Sequence, residues 1–113
     1  MKLDDAAARL EALGNPTRLK IYRTLVRAGL EGMAVGRLQA RLDIAASTLS
    51  HHLKALIGVG LVSQAREGTT LICHANYGLM RGLMRGLIEY MVEECCAEGT
   101  CDPAVAVKLQ RVA

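Results

Sequence analysis

At 113 residues the chain is long enough for one domain with a real core and too short for two. Three tyrosines are its only aromatics, so the core must be built from Leu, Val, Ile, Met and Ala. No secretory leader is expected, because Met1-Lys2-Leu3-Asp4-Asp5 turns acidic where an apolar segment would be needed, and no apolar run approaches membrane-spanning length; a cytoplasmic protein is expected. The formal charge of +3 is uneven. Residues 1–60 hold nine Lys or Arg against five Asp or Glu, and residues 61–113 hold five against six, which favours a polyanionic partner for the first half.

In chain order, Leu3 to Leu13 reads as a first helix with Ala6, Leu10 and Leu13 on one face, stopped by Gly14. Asn15-Pro16 restarts the chain, Asn15 as cap and Pro16 in the first turn, where its missing N–H is harmless. This second helix runs to about Arg27, with Ile21, Tyr22 and Leu25 inward and Arg18, Lys20, Arg23 and Arg27 largely outward as a mostly solvated face. Ala28-Gly29-Leu30-Glu31-Gly32 is a connecting turn. Val35 to Leu42 makes a short helix, and Asp43-Ile44 a tight turn.

Next comes Ala45-Ala46-Ser47-Thr48-Leu49-Ser50-His51-His52-Leu53-Lys54-Ala55-Leu56. Leu49, Leu53, Leu56 and Ile57 fall at i, i+4, i+7 and i+8, one buried helical stripe. Ser47, Ser50, His51 and Lys54 lie off that stripe, a face of short polar groups and one cation that suits the DNA major groove. His52 sits nearer the core stripe, where a hydrogen bond to backbone is expected. Gly58-Val59-Gly60 ends the helix, and the β-branched, apolar runs 61–65 and 69–75 flank a short turn containing Gly68, a hairpin. Helix, turn, helix, hairpin is the winged helix-turn-helix arrangement, in which the second helix reads DNA. The fold expected is therefore mainly α with a small β-hairpin: helix-turn-helix over 35–57 and wing over 61–75, within one domain spanning 1–113. Cys73 is a strand cysteine expected to fill core, and His74 has no sequence-local partner.

From Tyr77 to about Glu94 runs a last helix carrying the repeat Gly78-Leu79-Met80-Arg81-Gly82-Leu83-Met84-Arg85-Gly86-Leu87. Three glycines at every fourth position cost roughly 1 kcal/mol each relative to Ala, so something must compensate. They clear one stripe for close approach of another backbone, and Leu79, Met80, Leu83, Met84, Leu87 and Met91 make the helix apolar over too wide an arc for a monomer's surface. Packing against its own copy in a two-fold homodimer would bury it; seating on its own domain is the competing use of the glycines.

Three thiols, Cys95, Cys96 and Cys101, then fall within seven residues. Gly99 permits the chain to turn back and Pro103 prevents the helix continuing, so the three can close one site in the 95–113 segment. Three sulfurs with a free apex suit a soft trivalent centre such as As(III) or Sb(III). Glu93, Glu94, Glu98 and Asp102 oppose thiolate formation, the reverse of what a peroxide sensor needs, whereas neutral arsenite tolerates protonated thiols. A divalent soft metal (Cd or Zn) and a redox or persulfide switch stay open as alternatives. An enzyme is not expected: there is no phosphate-cradling loop, no Cys-x-x-Cys, and no histidine near the clustered cysteines.

Asn15-Pro16-Thr17-Arg18-Leu19, Ser50-His51-His52-Leu53-Lys54-Ala55-Leu56, Gly60-Leu61-Val62 and Arg66-Glu67-Gly68 together resemble the ArsR/SmtB family of metal-responsive repressors, over about residues 5 to 96. The resemblance implies a homodimer joined by its first and last helices (1–14 and 77–96) that binds a palindromic double-stranded operator and leaves it when inducer binds. Cys95, Cys96 and Cys101 look like the branch that senses As(III) at the end of the last helix, with the metalloid as inducer rather than as a resident cofactor. On this reading Ser47, Thr48, Ser50, His51, Lys54 and Arg66 contact DNA. The chain departs from the family in lacking the reader-region cysteine pair of other arsenic sensors and the His and carboxylate pattern of the zinc site on the last helix. Ala45 and Ala46 stand where many members have Ser then Gln, which removes a cap and a base contact.

Overall fold

The computed structural model describes residues 2–93. Two helices open the chain: α1 (Leu3–Leu13) and α2 (Pro16–Ala28). The Asn15 side chain accepts hydrogen bonds from the backbone N–H groups of Thr17 (2.9 Å) and Arg18 (3.2 Å), so α2 begins where a cap and a first-turn proline coincide. A 3-10 turn, Gly29–Glu31, leads into a two-residue strand β1 (Met33–Ala34), then α3 (Val35–Leu42) and α4 (Ala46–Gly58). The hairpin follows as β2 (Val62–Glu67) and β3 (Thr70–Ala75). The last helix, α5 (Tyr77–Ile88), passes into a π-helical turn, Glu89–Glu93.

The mainly helical fold with a small antiparallel sheet is the winged helix-turn-helix expected from the pattern, with two differences. The sheet has three strands in the order β1-β3-β2, because Met33 and Ala34 pair with Cys73 and Ile72 on the outer edge of β3. A two-residue strand has no periodicity to read, and the pattern assigns no element between the connecting turn 28–32 and the helix from Val35. The α-helical part of the last helix also stops at Ile88, earlier than the spacing suggests.

The core forms where the buried stripes meet: Ile21 and Leu25 from α2, Leu38 from α3, Leu49 and Leu56 from α4, Leu61, Cys73 and Leu83, all essentially without exposure. Each such leucine or isoleucine contributes roughly 1.5–3 kcal/mol of apolar burial. On α1, Ala6, Ala12 and Leu13 are buried, but Leu10, expected inward, is 40% exposed. That helix packs against α2, α4 and α5 and turns an apolar edge, Leu3 and Leu10, outward. Of the spaced glycines, Gly86 is buried within the domain whereas Gly78 and Gly82 are exposed.

Asn76 joins three elements. Its backbone N–H donates to the Leu61 carbonyl (2.9 Å), its side-chain Nδ2 donates to the Gly60 carbonyl (3.0 Å), and its Oδ1 accepts from Leu79 N–H (3.1 Å), capping α5. The Tyr22 hydroxyl donates to the Asn76 carbonyl (3.4 Å) from α2. The end of α4, the end of the wing and the start of α5 are thereby held together.

Candidate nucleic-acid interface

The turn between α3 and α4 depends on Asp43 in the left-handed region (φ 51°), after which Ala45 enters α4 extended. No side chain caps α4; its first backbone bond runs from Leu49 N–H to the Ala45 carbonyl (3.0 Å). Its C-terminus is closed by a Schellman pair, Leu61 N–H to the Leu56 carbonyl and Gly60 N–H to the Ile57 carbonyl, both 3.0 Å, with Gly60 at φ +82°. Arg9 of α1 adds a bond from Nε to the Val59 carbonyl (3.3 Å), a cation placed at a helix C-terminus where the dipole favours it.

Leu49, Leu53 and Leu56 are buried, and Ser47, Thr48, Ser50, His51 and Lys54 are all exposed. The face opposite the leucine stripe is therefore Ser47, His51 and Lys54, flanked by Ser50 on one side and Thr48 on the other. It presents hydroxyls, an imidazole and an ammonium group, donor and acceptor types that base edges in a major groove would match. Arg66 is exposed near the tip of the wing, one residue before Glu67, which pairs with Thr70 across a two-residue turn. Gly68 takes the positive φ (+64°) at the first turn position, where type II′ hairpins need glycine. Exposed cations thus stand on two separate elements, Lys54 on α4 and Arg66 on the wing.

His52 is not bonded to backbone as the sequence suggested. Its Nδ1 accepts from Arg18 Nε of α2 (3.2 Å), and its ring meets His51 edge-on at 5.4 Å. Burial, with Arg18 and then His51 adding to it, pushes the His52 imidazole below its ordinary range, so the neutral form that can accept this bond is favoured. The partner lies 34 residues earlier in the chain, and nothing in local spacing could have identified it.

Cys73 is fully buried, as expected of core filler. Burial pushes its thiol up, against a weaker opposing effect from Gln64, whose Nε2 donates to Sγ (3.4 Å). Cys95, Cys96 and Cys101 lie outside the described residues, as does the whole 95–113 segment. Among the described residues no group of three or more His, Cys, Asp or Glu is placed to hold a metal ion. Nor is any helix among them long and apolar enough to cross a membrane.

A reading helix held on a leucine core, with a wing beside it, defines a winged helix-turn-helix regulator. The helix-turn-helix domain family matches residues 13–65. The chain is 34% identical over 105 residues to the HTH-type transcriptional regulator CmtR of Mycobacterium tuberculosis, covering 91% of this chain and 82% of that one. It is 42% identical over 66 residues to the nodulation protein NolR of Rhizobium meliloti, of which it spans 52%, about half the length. Among solved structures it resembles the homodimeric winged helix-turn-helix DNA-binding domain of Mb0332 from Mycobacterium bovis, described as a possible ArsR-family regulator. There the TM-score is 0.64 at 29% identity, with 81% of this chain and 82% of that one covered. This chain belongs to the ArsR family of helix-turn-helix transcriptional regulators.

Proposed function

We propose that the protein is a cytoplasmic, homodimeric repressor that binds a palindromic operator and releases it when As(III) or Sb(III) is bound by Cys95, Cys96 and Cys101. The observation that carries the DNA-binding half is the outward face of α4. Five polar side chains, Ser47, Thr48, Ser50, His51 and Lys54, are exposed on a helix whose opposite stripe is sealed into the core. Ser47, Ser50 and His51 are the base-edge readers in this reading, Thr48 flanks them, and Lys54 and Arg66 meet phosphate.

The dimer reading is supported by exposed apolar groups on the two outer helices: Leu3 and Leu10 on α1, Met84 and Ile88 on α5, and Met91 in the turn after it. A second copy related by a two-fold axis would cover both helices at once and set two reading helices about one DNA turn apart. The inducer reading rests on the sequence of the 95–113 segment, where three thiols among carboxylates suit a neutral metalloid hydroxide better than an oxidant. A divalent soft metal is the second reading, favoured by the same carboxylates.

Fluorescence anisotropy on an operator duplex tests both halves. Arsenite and antimonite are expected to release the wild-type protein, and Cys95→Ser, Cys96→Ser and Cys101→Ser each to abolish release while leaving DNA affinity intact. Release by Cd²⁺ or Zn²⁺ but not by arsenite would assign the second reading, and release only by mild oxidant a redox switch. Tight arsenite binding with unchanged operator affinity would refute the coupling.

A further inference from the structure

The reading helix has a neighbour that the assignment above leaves unused. Arg18 lies in the first turn of α2, half-buried, with Nε bonded to His52 Nδ1 on α4. His52 stands one helical turn after Thr48, so this bond fixes Arg18 on the Thr48 side of α4. The other cations of α2 (Lys20, Arg23 and Arg27) are exposed. The bond uses one of the five guanidinium N–H donors and leaves the two terminal nitrogens as a fork, the geometry that matches a phosphate. A helix about 10–12 Å across fills a major groove about 12 Å wide, so the sugar-phosphate strands bordering the groove run along both flanks of the reader.

We propose that Arg18 is a DNA-backbone contact aimed by His52: α4 reads the groove, and the Arg18 fork beside it clamps a phosphate of the adjoining strand. His52 acts through Arg18 and is a positioning residue, and the neutral imidazole is what holds the guanidinium in place. This deepens the proposed function and rests on α4 being the element that enters the groove.

The test is operator affinity of the full-length protein against salt concentration, on the operator and on a non-operator duplex. Arg18→Gln keeps an amide N–H able to donate to His52 but removes the charge. It is expected to fold normally and to reduce the slope of log affinity against log salt by about 0.9 per subunit, about 1.8 per dimer, on both duplexes. His52→Ala is expected to lower the slope in the same direction, and His52→Gln, whose oxygen accepts the same bond, to restore it. An unchanged slope in a folded Arg18→Gln protein would overturn the proposal. So would a loss confined to the operator, which would make Arg18 a tie between helices only. Ser50→Ala and Lys54→Ala serve as controls: if neither weakens operator binding, the assignment of α4 itself fails, whereas if both do and Arg18→Gln does not, the inference about Arg18 alone is wrong.

Discussion

Gly32 shows how much a single residue type decides here. It sits at φ +71°, and a Cβ at that position would run into the Cys73 carbonyl oxygen and the His74 ring. Gly29, three residues earlier at φ +74°, has open space around the same position. Gly29→Ala, at φ 74° and ψ −158° in a region that is essentially glycine-only, therefore meets only backbone strain, about 1–3 kcal/mol. Gly32→Ala adds a collision with the strand beside β1 and is expected to be the more destabilising of the two in urea denaturation. Equal losses would mean the sheet edge yields freely. His52 makes a different residue-scale prediction. Its imidazole is held below its ordinary value, so the unfolded chain takes up a proton at higher pH than the folded one. The stability it contributes is complete above the ordinary histidine range and is lost as pH falls through the lowered folded value. Thermal unfolding at steps from pH 7.5 to 5 should show a decline that His52→Gln reduces. An identical profile for the variant would remove His52 as its source.

Among the elements, α2 and α4 are both thirteen residues long and start in opposite ways. Asn15 caps α2 through two N–H groups, whereas Ala45 leaves the first turn of α4 without a side-chain partner although its backbone is already extended as a cap residue's should be. Ala45→Ser is accordingly expected to stabilise the protein, and Asn15→Ala to destabilise it, each by about 0.5–2 kcal/mol. Thermal or chemical denaturation of the two variants checks the pair. An uncapped start leaves the N-terminal N–H groups of the reading helix to solvent or to phosphate, consistent with an element that meets a polyanion. What anchors α4 instead is its other end, where the Schellman pair, Arg9 and Asn76 converge.

For the whole molecule, the question is what covers α1 and α5. Leu10, Met84 and Ile88 are each exposed by about two-fifths, 40%, 41% and 38%, on neighbouring helices of the same domain. With Met84→Asp and Ile88→Asp introduced together, two desolvated charges per subunit would oppose a two-fold interface. Sedimentation velocity is expected to show a dimeric wild type and a folded monomeric variant, with operator affinity falling as the second half-site is lost. A variant that stays dimeric would move the interface elsewhere.

Much of this molecule was legible in its residues because periodicity and punctuation are local. The leucine stripe of α4, the Asn-Pro start of α2, the glycines ending α4 and the hairpin turn at Gly68 are each decided within a few residues, and each was found where the pattern placed it. The exposed groups of α4 follow from the same stripe, since sealing one side of a helix defines the other. Tertiary structure alone decided what depends on distant parts of the chain meeting. Met33–Ala34 becomes a strand only because β3 offers an open edge, Leu10 is left exposed because α1 packs on its neighbours through Ala6, Ala12 and Leu13, and His52 finds Arg18 rather than backbone because α2 packs beside α4. Hydrogen bonds between segments 34 or 50 residues apart leave no trace in local spacing, and those are the bonds that aim the cations around the reading helix.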